Sequence, residues 1–307
     1  MRPGIEEISL SFGFFAKAAY TFPCWLLSDR IRNSIRCLKL HRCVFGPTVK
    51  LGPFRSLAML RFFKVRITGY KLGCLLTNSP ALEWLELNSC DELDSLKIPC
   101  QLQRLSYLSV YFCLRLYMIE IKAPKLRVFD LDAEKVIKLS FGVSVELKQL
   151  YISSPDLVSC AHLEFLSNVP DLEGLKLKSC CQVSHTCVGH QTFMEDPSHP
   201  RQMPGQQHGN LKSVTIFGFC YAKSLVELTC YIIENAATSL ESLTLDIHGT
   251  RVVSVSGAIL RPMYDGKLVE APRTLLAIRT YIQRRIPSTV KLNVLEPCGT
   301  CSSSVGH

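Results

Sequence analysis

The stretch LGCLLTNSPALEWLELNSC, Leu72–Cys90, decides the fold. Its first half places Leu72, Leu75 and Leu76 at helical spacing and reaches Pro80, which cannot continue a helix. Its second half, Leu82, Leu85 and Leu87, has the form L-x-x-L-x-L, in which alternate residues point to one side of a short strand. Cys90 follows three residues after the last leucine. A strand with one apolar face and a return segment that shields it cannot bury that face alone, so copies should stand beside it.

Working outward, the pattern recurs ten times: Ile5/Ile8/Leu10, Ile35/Leu38/Leu40, Leu57/Leu60/Phe62, Leu82/Leu85/Leu87, Leu105/Leu108/Val110, Leu126/Phe129/Leu131, Leu147/Leu150/Ile152, Leu172/Leu175/Leu177, Leu211/Val214/Ile216 and Leu240/Leu243/Leu245. Most starts are 21 to 30 residues apart, the period of a leucine-rich repeat (LRR). The position three residues past the last leucine holds Cys43, Cys90, Cys113 and Cys180, where the repeat places Asn or Cys against the turn leaving the strand. These observations predict an α/β leucine-rich-repeat solenoid: a curved parallel sheet with helical or irregular return segments. Helical returns are expected over Leu72–Asn78, Ala161–Asn168 and Ala222–Ala237.

The solenoid is expected over residues 1–270, interrupted by a loop at 181–210 rich in His, Gln, Pro and Gly. Residues 271–297 then read as a cap, a helix over Arg273–Ile286 ended by Pro287 and a strand over Val290–Leu295, and 298–307 as a disordered tail.

Composition narrows the function classes. The net charge of +9 sits at one end: residues 1–80 hold 13 Lys/Arg against 3 Asp/Glu. A solvated basic face is the simpler reading of that bias and steering of a partner another; a basic-patch association with nucleic acid is the less favoured one. Fifteen cysteines in so long a chain, several at one repeat position, suit buried free thiols in a reducing compartment. The apolar run Ile8–Leu27 carries Glu6 and Glu7 where a signal peptide needs positive charge, and Lys17 interrupts it. The expectation is a cytoplasmic or nuclear protein without membrane association.

The strand-end cysteines, LGCLLTNSPALEWLELNSC (Leu72–Cys90), SIRCLKLHRC (Ser34–Cys43) and RTYIQRRIPSTVKLNVLEPCGTC (Arg279–Cys301) resemble plant F-box/LRR-repeat proteins over nearly the whole chain. The resemblance implies that the repeats select a substrate for a cullin ubiquitin ligase, to which an F-box docks through a Skp-type adaptor. The first repeat already begins at Ile5, so the likeness is to the LRR portion with the F-box lacking, and a Skp-type adaptor is doubtful as a partner. A stand-alone LRR binding protein is the alternative.

Catalytic and metal chemistry find little footing. Cys180, Cys181, His185, Cys187 and His190 are zinc-ligand types, but they fall at a repeat position and in the inserted loop. The Cys298–Cys301 pair has neither a thioredoxin-like context nor a second pair. Neither G-x-S-x-G, a P-loop nor G-x-G-x-x-G occurs. No enzyme activity, cofactor or metal is expected.

Strand geometry locates the binding face instead. If the leucines face the core, the alternate positions line the opposite, concave side. That side collects Lys39, His41, Arg61, Phe63, Trp84, Glu86, Tyr107, Tyr111, Asp130, Asp132, Tyr151, Lys176, Lys178 and Phe217. Exposed rings among charges of both signs are the expected contact points for a protein partner. The alternative is that the rings cover neighbouring strands.

Overall fold

The computed structural model describes residues 5–13, 20–46, 52–142, 145–154, 166, 168–179, 208–247 and 271–296. They divide into two compact units, one of residues 1–150 with 164–169, the other of residues 151–163 with 170–307.

In the first unit, β1 (Glu7–Ser11), β2 (Cys37–His41), β3 (Met59–Phe63), β4 (Trp84–Asn88), β6 (Tyr107–Tyr111) and β8 (Val128–Asp132) are hydrogen-bonded neighbours in that order. Every pair is parallel, and the register aligns one repeat with the next: Ile8, Leu38, Leu60, Leu85, Leu108 and Phe129 form one row. Beneath it Leu38, Leu60, Leu85, Leu108 and Phe129 are fully buried. The first copy differs from expectation: Ile5 and Leu10 are exposed. Among the described residues its strand pairs on one side only, with β2, and no second strand of that set covers its apolar side chains.

The returns of this unit are more β-like than the sequence suggests. Among the described residues two returns contain an α-helix: α2 (Gly69–Thr77), close to the expected Leu72–Asn78, and the short α1 (Asp29–Ser34) before β2. Three others contain β5 (Ser95–Ile98), β7 (Met118–Ile121) and β9 (Lys138–Phe141), which pair in parallel as a second, three-stranded sheet. Leu96, Ile98, Ile119, Ile121 and Phe141 are buried, and the Phe141 ring meets Phe129 edge-on at 6.1 Å. The core of this unit thus lies between the repeat strands and their returns.

The turns leaving β2, β3, β4 and β6 follow one backbone rule. Arg42, Lys64, Ser89 and Phe112, each the first residue past its strand, have φ between 53° and 57°, the left-handed region that costs an L-residue about 1 kcal/mol or more. Each still donates its N–H across to the next strand end, at Phe63, Asn88, Tyr111 and Asp132. The reversal drops the following side chain into the core, which is why Cys43, Cys90 and Cys113 are buried as expected. The thiol of Cys113 contacts the carbonyl of Tyr111 at 3.6 Å. Burial pushes the Cys43 thiol pKa up to about 11, and the hydrogen bond that the protonated Cys90 thiol donates to Cys113, together with burial, raises that of Cys90 well above its usual range. Cys180 lies outside the described residues.

In the second unit, β11 (Gly174–Ser179), β12 (Ser213–Phe217), β13 (Ser242–Asp246) and β14 (Lys291–Leu295) repeat the same parallel register. The last is the strand expected at Val290–Leu295, and it behaves as one more repeat strand. Between β12 and β13 the chain returns through α3 (Lys223–Asn235), which buries Leu225, Val226, Leu228, Ile232 and Ile233. The helix expected over Arg273–Ile286 is α4 (Ala271–Ala277) continued by a π-helical turn to Ile282. Its Ile278 and Ile282 are buried, and the Cys230 thiol of α3 lies 3.8 Å from the carbonyl of Tyr281. The strand Gln149–Ser154, β10, falls at the division between the units. The expected helix at Ala161–Asn168 lies outside the described residues apart from positions 166 and 168, as does the loop at 181–207. No helix among the described residues is long and apolar enough to cross a membrane.

Candidate protein-recognition surface

The face of the first sheet opposite its leucines is built from alternate residues of successive strands. Because the strands are parallel and in register, these residues form rows across the sheet: Lys39, Arg61 and Glu86 occupy one, His41, Phe63 and Asn88 the next. Exposure along the face follows a gradient. On β1, Glu7, Ser9 and Ser11 are exposed; on β2, β3 and β4 the equivalent residues are half-buried; on β6 they are buried.

The half-buried part carries organised polar contacts. Lys39 Nζ pairs with Glu7 at 2.8 Å, and Arg61 Nη2 pairs with its register neighbour Glu86 at 2.7 Å. Ser11 Oγ and His41 Nδ1 are 2.7 Å apart, and the His41 ring tilts against Phe63 with centroids 4.4 Å apart. Partial burial, with the charges of Arg42 and Lys64 adding to it, lowers the His41 pKa below its ordinary value, so the imidazole is neutral near pH 7. A groove of about 240 Å³ runs over these side chains. Glu7, Ser9 and Ser11 belong to this face and were missed in the sequence, although the same alternation in the first copy points to them.

Toward β6 and β8 the expectation of exposed rings fails. Trp84 stacks on Tyr107, its register partner on the next strand, with centroids 3.6 Å apart and planes 16° from parallel. Tyr107 and Tyr111 are buried and donate their hydroxyls to the same Asp130 Oδ2, at 2.9 and 3.1 Å. Asp130, Asp132, Tyr151 and Lys178 are buried as well. The physical reason is strand spacing: parallel neighbours stand about 4.8 Å apart, close enough for large rings in register to stack and cover one another. A buried carboxylate needs donors, and the two phenols supply them. Lys176 and Phe217, in the second unit, are half-buried. The residues brought together as an accessible surface are therefore Lys39, His41, Arg61, Phe63, Trp84 and Glu86.

Among the described residues no group of three or more His, Cys, Asp or Glu is placed to hold a metal. Cys181, His185, Cys187, His190 and the Cys298–Cys301 pair lie outside them.

Searches of curated proteins and of solved structures return no match. A sequence profile of the At1g61320/AtMIF1 LRR domain matches residues 1–195 and 180–299, nearly the whole chain. Together with the parallel, register-aligned strands, that match assigns the chain to the LRR-domain family of At1g61320/AtMIF1, a family of plant leucine-rich-repeat proteins.

Proposed function

We propose that this chain is a protein-recognition module that catalyses nothing itself and binds its partner on the sheet face of β1 to β4. The observation that carries the reading is the half-exposed set Lys39, His41, Arg61, Phe63 and Glu86 around one groove. None of these side chains is needed by the leucine core beneath, yet they are held in place by ion pairs and ring contacts. Preorganised charges and rings reduce the ordering entropy that binding must overcome. An LRR domain is suited to protein partners because its repeats stack side chains into an extended sheet face. The finer reading, from the resemblance to F-box/LRR proteins, is that the bound partner is a substrate selected for ubiquitylation. The buried, high-pKa thiols of Cys43 and Cys90 support a reducing, cytoplasmic or nuclear setting.

The test is to place a photo-crosslinking phenylalanine analogue at Phe63 and capture the protein from its native tissue. Crosslinks from position 63, and none from a control at the exposed Lys138 of the second sheet, are expected; the reverse would contradict the face. A co-purifying Skp-type adaptor would support the ligase role. Partners captured without one would favour a stand-alone binder.

A further inference from the structure

A second cavity, of about 400 Å³, opens at the edge of the first unit where its strands begin. Its lining includes Arg36, Arg55 and Arg104 with Glu6, Glu83 and Ser56. It shares no residue with the groove over the sheet face. Arg36 immediately precedes β2, Arg55 lies in the run-in to β3 and Arg104 in that to β6. The period of the repeat, rather than one loop, thus brings the three to one edge.

The polar groups of this edge are unequally used. The carbonyl of Glu6 accepts the N–H groups of Arg36 and Cys37, that of Arg36 those of Ala58 and Met59, and that of Glu83 those of Ser106 and Tyr107. The Ser56 hydroxyl donates to the Asn33 carbonyl at 2.7 Å. The backbone and hydroxyl donors are therefore committed. The guanidinium groups are not: Arg36, Arg55 and Arg104 are exposed and make no side-chain hydrogen bond or ion pair with any described residue, Glu6 and Glu83 included. Three fork-shaped donors surround one cavity without a carboxylate closing on any of them.

We propose that this edge is a docking site for a phosphorylated segment of a partner protein, its phosphate monoester held by Arg36, Arg55 and Arg104. The proposal rests on the reading of the chain as a protein binder but uses a different surface. Guanidinium forks match phosphate oxygens in bidentate geometry. A dianion with three terminal oxygens can engage three forks, whereas a carboxylate fills one. The two glutamates sharpen the choice. They offset two of the three positive charges, so a monoanion gains little net attraction, while a dianion keeps it. They also leave a place for a basic side chain next to the phosphate, which makes a phosphoserine flanked by arginine the best-fitting sequence.

The probe is a fluorescein-labelled alanine-glycine peptide carrying one phosphoserine with an arginine two residues before it, titrated onto the full chain by anisotropy. Its serine form and a random single-stranded DNA are run alongside. Binding of the phosphopeptide at least tenfold tighter than the serine form is expected. The double variant Arg36→Gln/Arg104→Gln should lose that tenfold difference with an unchanged melting temperature, since both residues are exposed. Phe63→Ser, on the sheet face, should keep it, which separates this site from the one proposed above. Equal binding of the two peptides, or a phosphate preference that survives the double variant, would overturn the proposal. So would DNA that binds more tightly than the phosphopeptide through the same arginines, because it would make the edge a nucleic-acid surface.

Discussion

Single residues show where the repeat places its costs. Ser89 sits at φ 53° with its N–H bonded to the Tyr111 carbonyl at 2.8 Å. Glycine takes that conformation without strain, so Ser89→Gly should leave stability unchanged or raise it by up to about 1 kcal/mol. Proline cannot reach positive φ and removes the donor, so Ser89→Pro should cost about 3 kcal/mol or more; urea unfolding of the pair measures both. Titration of the thiols gives a second check. Native chain treated with iodoacetamide at pH 8 should be alkylated at the exposed Cys100 well before Cys43 or Cys90, whose raised pKa values keep them protonated. Peptide mass spectrometry reads the order, and early labelling of Cys90 would contradict its burial. His208 should contribute to the acid sensitivity of the second unit. It is buried beside Tyr231, and burial lowers its pKa below 6.5. The unfolded chain then binds the proton more readily than the folded one. The stability at stake is present above the unfolded value of about 6.5 and is lost as pH falls from there through the folded pKa. Melting curves from pH 7.5 to 5 should show that loss, and His208→Phe should flatten it.

At the scale of elements, α2 and β5 show what the sequence revealed and what it hid. The helix is legible because Leu72, Leu75 and Leu76 fall on one face, and all three are buried. Its start depends on a contact no local pattern shows. Burial works against the charge of Asp94, but hydrogen bonds from Ser95 and from the Gly69 N–H outweigh it and hold its pKa below the ordinary value. The helix therefore begins against the return strand. A Cβ at Gly69 would stand 2.3 Å from the Ser95 carbonyl oxygen. Gly69→Ala should destabilise by about 1–3 kcal/mol, although alanine is the better helix former; a neutral result in thermal melts would argue against this packing. The second sheet was hidden for a related reason. Ser95–Ile98, Met118–Ile121 and Lys138–Phe141 are four residues each, too short for alternation to stand out from an irregular return. Only their recurrence at the repeat period, with Leu96, Ile119 and Leu139 in register, marks them as strands. The repeat strands were legible because ten copies of one pattern accumulate, each weak alone.

For the molecule as a whole, the proposed binding face was half legible. Alternation correctly assigns Lys39, Arg61 and Trp84 to the side away from the leucines, since a strand has only two sides. It could not show that Tyr107, Tyr111 and Asp130 bury one another, because that depends on what stands in register on the neighbouring strands. Partner binding is proposed for the accessible part, β1 to β4. The most direct measurement compares wild-type chain with Arg61→Glu/Phe63→Ser in quantitative affinity capture, with melting temperatures recorded on the same preparations. At least a tenfold loss of captured partner is expected, with a melting temperature shifted by no more than a few degrees. Undiminished capture by the folded double variant would contradict the proposal.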